Sequence, residues 1–227
     1  MEQKGPQPIA FLNDKLEFPP VENASSEGLL AVGGDLGVER LLLAYKNGIF
    51  PWFNEDALIL WWSPDPRLVL FPDNIKISKS MRKVIEKNQF RLSINTCFER
   101  VMNHCATIKR KEQGGTWITE NMKLAYLDLH EAGHAHSYEA WQGEELVGGL
   151  YGVDLGHVFC GESMFSKVSN ASKFVLIKLA QHLSQKKYTL IDCQVPTDHL
   201  KSMGAEELSR TDFIALLKGK VQRAQKK

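Results

Sequence analysis

Phe159-Cys160-Gly161-Glu162-Ser163-Met164-Phe165-Ser166, then Asn170-Ala171-Ser172-Lys173 opening an apolar run, then Leu190-Ile191-Asp192-Cys193-Gln194-Val195 is the stretch on which the fold turns. It reads as strand, polar loop, helix and strand. Apolar residues recur at helical spacing through Leu176, Leu179 and Leu183, which gives a helix over 171–185. The flanking strands carry Glu162, Ser163, Asp192 and Gln194 where a buried strand would carry Val, Ile or Leu. Burying a carboxylate or an amide is costly unless it is paired or used. Two such strands joined by one helix therefore point to a site as well as a core.

Upstream, three strands at 136–142, 146–153 and 158–163 form a meander, with turns at Gly143-Glu144 and Asp154-Leu155-Gly156. Before them come a strand at 90–95, a helix at 97–107 and a helix that Thr119 caps and Gly133 follows. Helices, a meander and a crossover helix to one more strand make a mixed α/β (α+β) sheet. Residues 1–28 read as loosely structured, with Pro6, Pro8, Pro19 and Pro20. Asp35 is expected to cap a helix over 38–47 that Gly48 ends. A last helix covers 210–219. Pro64 and Pro66 around Asp65 break regular structure, so the boundary is set there: a small domain over 1–65 and a larger one over 66–227.

The chain has 227 residues, 43% apolar and 24% charged, which is ordinary for a globular protein and disfavours disorder. The net charge is +1, so any nucleic-acid contact must come from a local basic patch. Met1–Pro8 carries no apolar signal segment, and no apolar run approaches the ~18–20 residues that span a bilayer. Cys97, Cys105, Cys160 and Cys193 form no CxxC pair and read as buried free thiols of a cytoplasmic protein.

His130-Glu131-Ala132-Gly133-His134 fits the zinc peptidase pattern H-E-x-x-H. Gly133 ends the helix, however, so His134 points away from His130, and no metal site is expected. Gly161-Glu162-Ser163 is half of a nucleophile elbow without its last glycine. Trp52, Trp61 and Trp62 fall close together, and Trp117 follows Gly114-Gly115-Thr116. One of Trp61 and Trp62 is core; Trp52 and Trp117 are candidates for rings on which a base stacks, worth ~1–3 kcal/mol per base. Lys79, Arg82, Lys83 and Lys87 share one face of a helix over 78–88, either as a solvated surface or as a phosphate-tracking patch. Leu150, Phe159, Met164, Leu176, Leu179, Leu183 and Ile191 are mostly core. A gap among them, ringed by Glu162, Asp192 and Gln194, would hold an apolar side chain with a reactive polar head.

Several motifs in order carry a family resemblance: Ala31-Val32-Gly33-Gly34-Asp35-Leu36, Gly48-Ile49-Phe50-Pro51-Trp52-Phe53, Trp61-Trp62-Ser63-Pro64-Asp65-Pro66-Arg67, Gly115-Thr116-Trp117-Ile118-Thr119, and the two opening strands. Together, from about Gly28 to Phe213, the chain resembles the leucyl/phenylalanyl-tRNA–protein transferases. The resemblance implies transfer of leucine or phenylalanine from aminoacyl-tRNA to a protein's N-terminal arginine or lysine, which marks the product for N-degron degradation. It also implies a catalytic domain like the GNAT acetyltransferases and a monomer. By motif, Trp52 and Trp117 would sandwich the terminal adenosine. Leu150, Phe159, Met164, Leu176, Leu179, Leu183 and Ile191 would line the amino acid pocket, with Glu162 at its mouth. Asp192 and Gln194 match the family's catalytic pair. Tyr45 and Tyr126 match positions near the substrate, and Lys79, Arg82, Lys83 and Lys87 the tRNA surface. Leu150 and Leu179 stand where some relatives carry Met and Phe. The turn Phe165-Ser166-Lys167-Val168-Ser169-Asn170 has no glycine, whereas close approach to a coenzyme A pyrophosphate needs one. No cofactor is therefore expected.

Overall fold

The computed structural model describes residues 8–54, 57–107 and 118–219. In chain order the elements are β1 (Ala10–Leu12), β2 (Leu29–Gly33), α1 (Val38–Lys46), β3 (Phe50–Pro51), β4 (Leu60–Trp62), β5 (Arg67–Leu70), α2 (Lys79–Glu86), β6 (Arg91–Ile94) and α3 (Phe98–Thr107). Then follow α4 (Glu120–Glu131), β7 (Ala135–Gln142), β8 (Glu145–Asp154), β9 (Val158–Ser166), α5 (Ala171–Gln185), β10 (Leu190–Gln194), α6 (Asp198–Ser202), β11 (Glu206–Leu208) and α7 (Arg210–Leu217). The chain divides into two compact units, 1–67 with 207–227, and 68–206.

The first unit holds a four-stranded sheet in the order β1-β2-β4-β3, in a region whose first 28 residues read from sequence as loose. Its strands are two to five residues long, and β1 runs parallel to β2. Trp61 is fully buried, donates from Nε1 to the Gly33 carbonyl at 2.8 Å and meets Phe18 edge-on at 4.9 Å. Two buried arginines tie loops to this sheet. Arg40 donates to Asp35 Oδ2 at 2.8 Å and to the carbonyls of Asn13 and Lys15. Asp35 thus works through Arg40 and the Gly37 N–H; the residue that caps α1 is Gly37. Arg67 donates to the Gly48 carbonyl and lies 4.7 Å from the rings of Phe50 and Phe213, which places α7 in this unit. Gly48 has φ +75°, and a Cβ there would collide with Ile214 and Phe213. Any other residue would be strained at this φ and would force those side chains of α7 to shift.

The second unit is a mixed sheet whose strands run in the order β5-β10-β9-β8-β7-β6. β6 to β9 form an antiparallel meander, and β9 pairs with β10 in parallel across the α5 crossover. Alternation assigns the two faces. A Cβ at Gly148 would meet Ala171 of α5, and one at Gly149 would meet Val101 of α3. The α5 face carries the core: Leu150, Phe159 and Ile191 from the strands, Phe174 and Leu179 from α5, and Met81 from α2. The opposite face is covered by α3, with Tyr151 meeting Phe98 at 5.8 Å, and by α4, whose Tyr126 meets Tyr151 at 5.6 Å.

Candidate active site

The ladder between β9 and β10 pairs Leu190 with Val158, Ile191 with Phe159 and Asp192 with Cys160, and stops there. Beyond that point both strands carry an extra residue. On β9 the register against β8 passes from Gly152–Gly161 to Tyr151–Ser163, leaving Glu162 as the bulge. On β10 the register against β5 passes from Asp192–Val69 to Gln194–Leu68, leaving Cys193 as the bulge. Bulges end pairing and re-aim side chains. Gln194 has φ +64°, a conformation that costs a non-glycine residue ~1–2 kcal/mol.

Side-chain bonds take over where the ladder ends. Gln194 Nε2 donates to Glu162 Oε1 at 2.7 Å, and the Tyr126 hydroxyl donates to Glu162 Oε2 at 2.9 Å. The Gln194 backbone N–H donates to Asp192 Oδ1 at 3.0 Å. Asp192 is 1% exposed and Gln194 9% exposed, so the site is held at strand depth by four residues from β9, β10 and α4. A Cβ built on Gly161 has nothing nearer than the Asp192 carbonyl at 3.7 Å and Ile191 Cγ2 at 3.9 Å, so the parting strands leave room there.

The structure brings the other expected residues together in part. Leu150, Phe159, Leu176, Leu179, Leu183 and Ile191 are buried in the core under α5, and Met164, partly buried, packs against them. Lys79, Arg82 and Lys83 are exposed on α2, and Lys87 is exposed at its C-terminal cap. Met81 and Val84 turn inward, and Ser78 Oγ caps the helix on the Met81 N–H. Tyr45 and Trp52 belong to the first unit. Tyr45 is buried on α1, whereas Trp52 is 37% exposed and 5.9 Å from the Trp62 ring. Trp117 lies outside the described residues.

The competing motifs assemble differently. His130 stacks on Phe98 at 4.2 Å and its Nδ1 bonds the Ala135 carbonyl, while Gly133 at φ +81° ends α4 before His134. Among the described residues no group of three His, Cys, Asp or Glu could hold a metal ion. Ser163 lies within β9 opposite Tyr151, not on a strand-to-helix turn, so no nucleophile elbow forms. At the start of α5 the left-handed position is Asn170, φ +73°, and Ser166 Oγ accepts the Ser172 N–H that a phosphate would need.

A buried carboxylate escaped the reading of the sequence. Glu139 of β7 is fully buried and accepts hydroxyl hydrogens from Ser93 and Ser137, each at 2.5 Å. The alternation Ser137-Glu139-Trp141 was its only signal. Glu139 helps raise the Cys97 thiol to about 11, after the larger effect of burial.

The family description "Leucyl/phenylalanyl-tRNA protein transferase" matches residues 69–218, and the corresponding N-terminal domain matches residues 34–65. The leucyl/phenylalanyl-tRNA–protein transferase of Flavobacterium johnsoniae is 58% identical over 92% of this chain and 99% of its own. That of Flavobacterium psychrophilum is 54% identical over 92% and 99%. The solved structure of L-PGS from Bacillus licheniformis is more distant, with a TM-score of 0.40 and 15% identity over 81% of this chain and 58% of that one, too remote to bear on function. With matching domains over most of its length and relatives above half identity, the chain belongs to the leucyl/phenylalanyl-tRNA–protein transferase family.

Proposed function

We propose that this protein moves leucine or phenylalanine, and methionine less well, from aminoacyl-tRNA to the N-terminal arginine or lysine of a protein. The observation that carries the chemistry is the bonded set Asp192, Gln194, Glu162 and Tyr126 at the point where β9 and β10 part. The acceptor's α-amine attacks the ester carbonyl, the C–N bond forms, and the ribose oxygen leaves with the amine's proton. The reaction is downhill and uses no covalent nucleophile. An α-amine titrates near 7.7–8.0, so about 10–15% is neutral at pH 7 and no strong base is required. What the site must supply is alignment and polar stabilisation of the oxyanion.

Gln194 suits alignment. Its Nε2 is committed to Glu162, and among the described residues its Oε1 has no partner. That oxygen can accept a hydrogen from the incoming amine. Asp192 acts through Gln194 by holding its backbone N–H. Glu162 adds a carboxylate suited to a cationic acceptor. The apolar set Leu150, Phe159, Met164, Leu176, Leu179, Leu183 and Ile191 receives the amino acid side chain. An apolar pocket discriminates only ~10–200-fold per methylene, which is why methionine should pass. Val and Ile, branched at the pocket mouth, should pass poorly. Trp52 and Trp117 stack the terminal adenosine with Tyr45 nearby, and Lys79, Arg82, Lys83 and Lys87 track the tRNA backbone. Among the described residues no helix is long and apolar enough to cross a membrane.

The test is transfer of label from Leu-, Phe- and Val-tRNA to peptides beginning with Arg, Lys or Ala. Label on the Arg and Lys peptides from Leu- and Phe-tRNA is expected. Its absence would overturn the assignment.

A further inference from the structure

Two guanidinium groups outside the basic helix share one indole ring. Arg91 and Arg100 each lie 5.3 Å from the ring centre of Trp141, so their charges stand within twice that distance of each other. Arg91 is the cross-strand partner of Trp141 in the β6–β7 ladder, and Arg100 comes from the first turn of α3. Both arginines are exposed, and among the described residues neither forms an ion pair.

The indole itself is fixed. Trp141 Nε1 donates to Ser93 Oγ at 2.7 Å, and Ser93 donates on to the buried Glu139. The carboxylate that could have neutralised these cations is thus fully buried and occupied by two hydroxyls. At His104 on α3, burial and then the charges of Lys167 and Arg100 hold the imidazole below its ordinary value. Two like charges held side by side, with no ion-pair partner among the described residues, suit an anion with spaced charges. Chain connectivity says which. Arg91 follows Lys87 by four residues, at most ~14 Å of chain, a length over which one nucleic-acid strand presents about four phosphates.

We infer that Arg91 and Arg100, positioned by Trp141, bind two further phosphodiesters of the aminoacyl-tRNA beyond those reached by α2. This rests on the tRNA reading above. Each phosphate neutralised contributes ~0.7–0.9 to the slope of log affinity against log salt. Between 50 and 200 mM salt the wild type should therefore lose about 7–12-fold more tRNA affinity than the double variant Arg91→Gln/Arg100→Gln.

The experiment measures tRNA binding across that salt range, and transfer from two donors, Phe-tRNA and phenylalanyl-adenosine, which has no phosphodiester. The expected result is a shallower salt slope, a higher KM for Phe-tRNA and a lower preference for Phe-tRNA over phenylalanyl-adenosine. Arg91→Lys/Arg100→Lys, which keeps the charges, should restore the slope. An unchanged slope overturns the inference. So does equal loss with both donors, which marks a structural role, or a change in KM for the acceptor peptide alone, which marks a protein-binding surface. If the wild type transfers from neither donor, the functional assignment fails instead, and the two failures are distinct.

Discussion

Replacing Asp192 by Asn and by Ala separates two roles that one carboxylate could play. Asp192 is 1% exposed, and its Oδ1 accepts the backbone N–H of Gln194 at 3.0 Å. That bond closes the β10 bulge and fixes a residue at φ +64°. Asn keeps the acceptor oxygen but makes the bond neutral. Bonds to charged groups are worth ~1.5–3 kcal/mol and neutral ones ~0.5–1.5, so Asn should cost about 1 kcal/mol of positioning, roughly fivefold in kcat/KM. Ala leaves the Gln194 N–H buried without that acceptor, at ~2–3 kcal/mol, or about 30–150-fold. The assay is single-turnover transfer from Phe-tRNA to an Arg-starting peptide, with thermal melting to confirm that both variants fold. Equal and severe loss in Asn and Ala would refute the positioning argument. It would mean that the charge itself, as a base or a counter-ion, is what the reaction uses.

Three further outcomes are expected. Glu162→Ala should fold, because the residue is a bulge with no ladder partner, but should lose transfer; deleting Glu162 should also fold, because Gly161 and Ser163 then follow in regular alternation against Gly152 and Tyr151, and should lose transfer as well. Circular dichroism with near-native spectra for both checks this, and unfolding of the deletion alone would contradict the register. Gly152→Ala should be strongly destabilising, since a Cβ there collides with the Cys160 carbonyl and the Phe159 ring; a melting temperature near the wild type's would contradict that packing. His104, His136, His182 and His199 all sit below the ordinary imidazole value, burial being the largest cause in each. The unfolded chain therefore binds protons that the folded one refuses, so stability should be full above pH ~6.5 and fall as pH drops below it, read by urea denaturation at pH 7.5 and 5.5.

The parts of the fold that were legible are those whose signal is local. Helix α5 was readable from its leucine spacing, and the meander from its turn residues. The small sheet of the first unit was not. Its strands are too short to show alternation, and β1 pairs with β2 across a proline-containing loop. Among the site residues, the polar types were legible because they interrupt strands. Their arrangement was not. Gln194 takes a left-handed conformation with a side chain that gives no hint of it, and only the register against β5 exposes the extra residue. Tyr126 came by motif alone, since the spacing of α4 says nothing of a bond to Glu162.

The bulge at Glu162 explains how one strand serves both the core and the site. Phe159 and Met164 both pack against the α5 core, yet they are five positions apart. Strict alternation would send them to opposite faces. The extra residue restores parity, so that Met164 faces Leu150 across the ladder while Ser163 faces Tyr151 on the α4 side. The same insertion ends the pairing with β10 and frees Glu162 to meet Gln194 and Tyr126. A strand without the bulge could keep its core or present the carboxylate, but not both. The polar residues of this stretch are therefore a consequence of where the sheet parts, and the sheet parts where the apolar core and the bonded polar set adjoin.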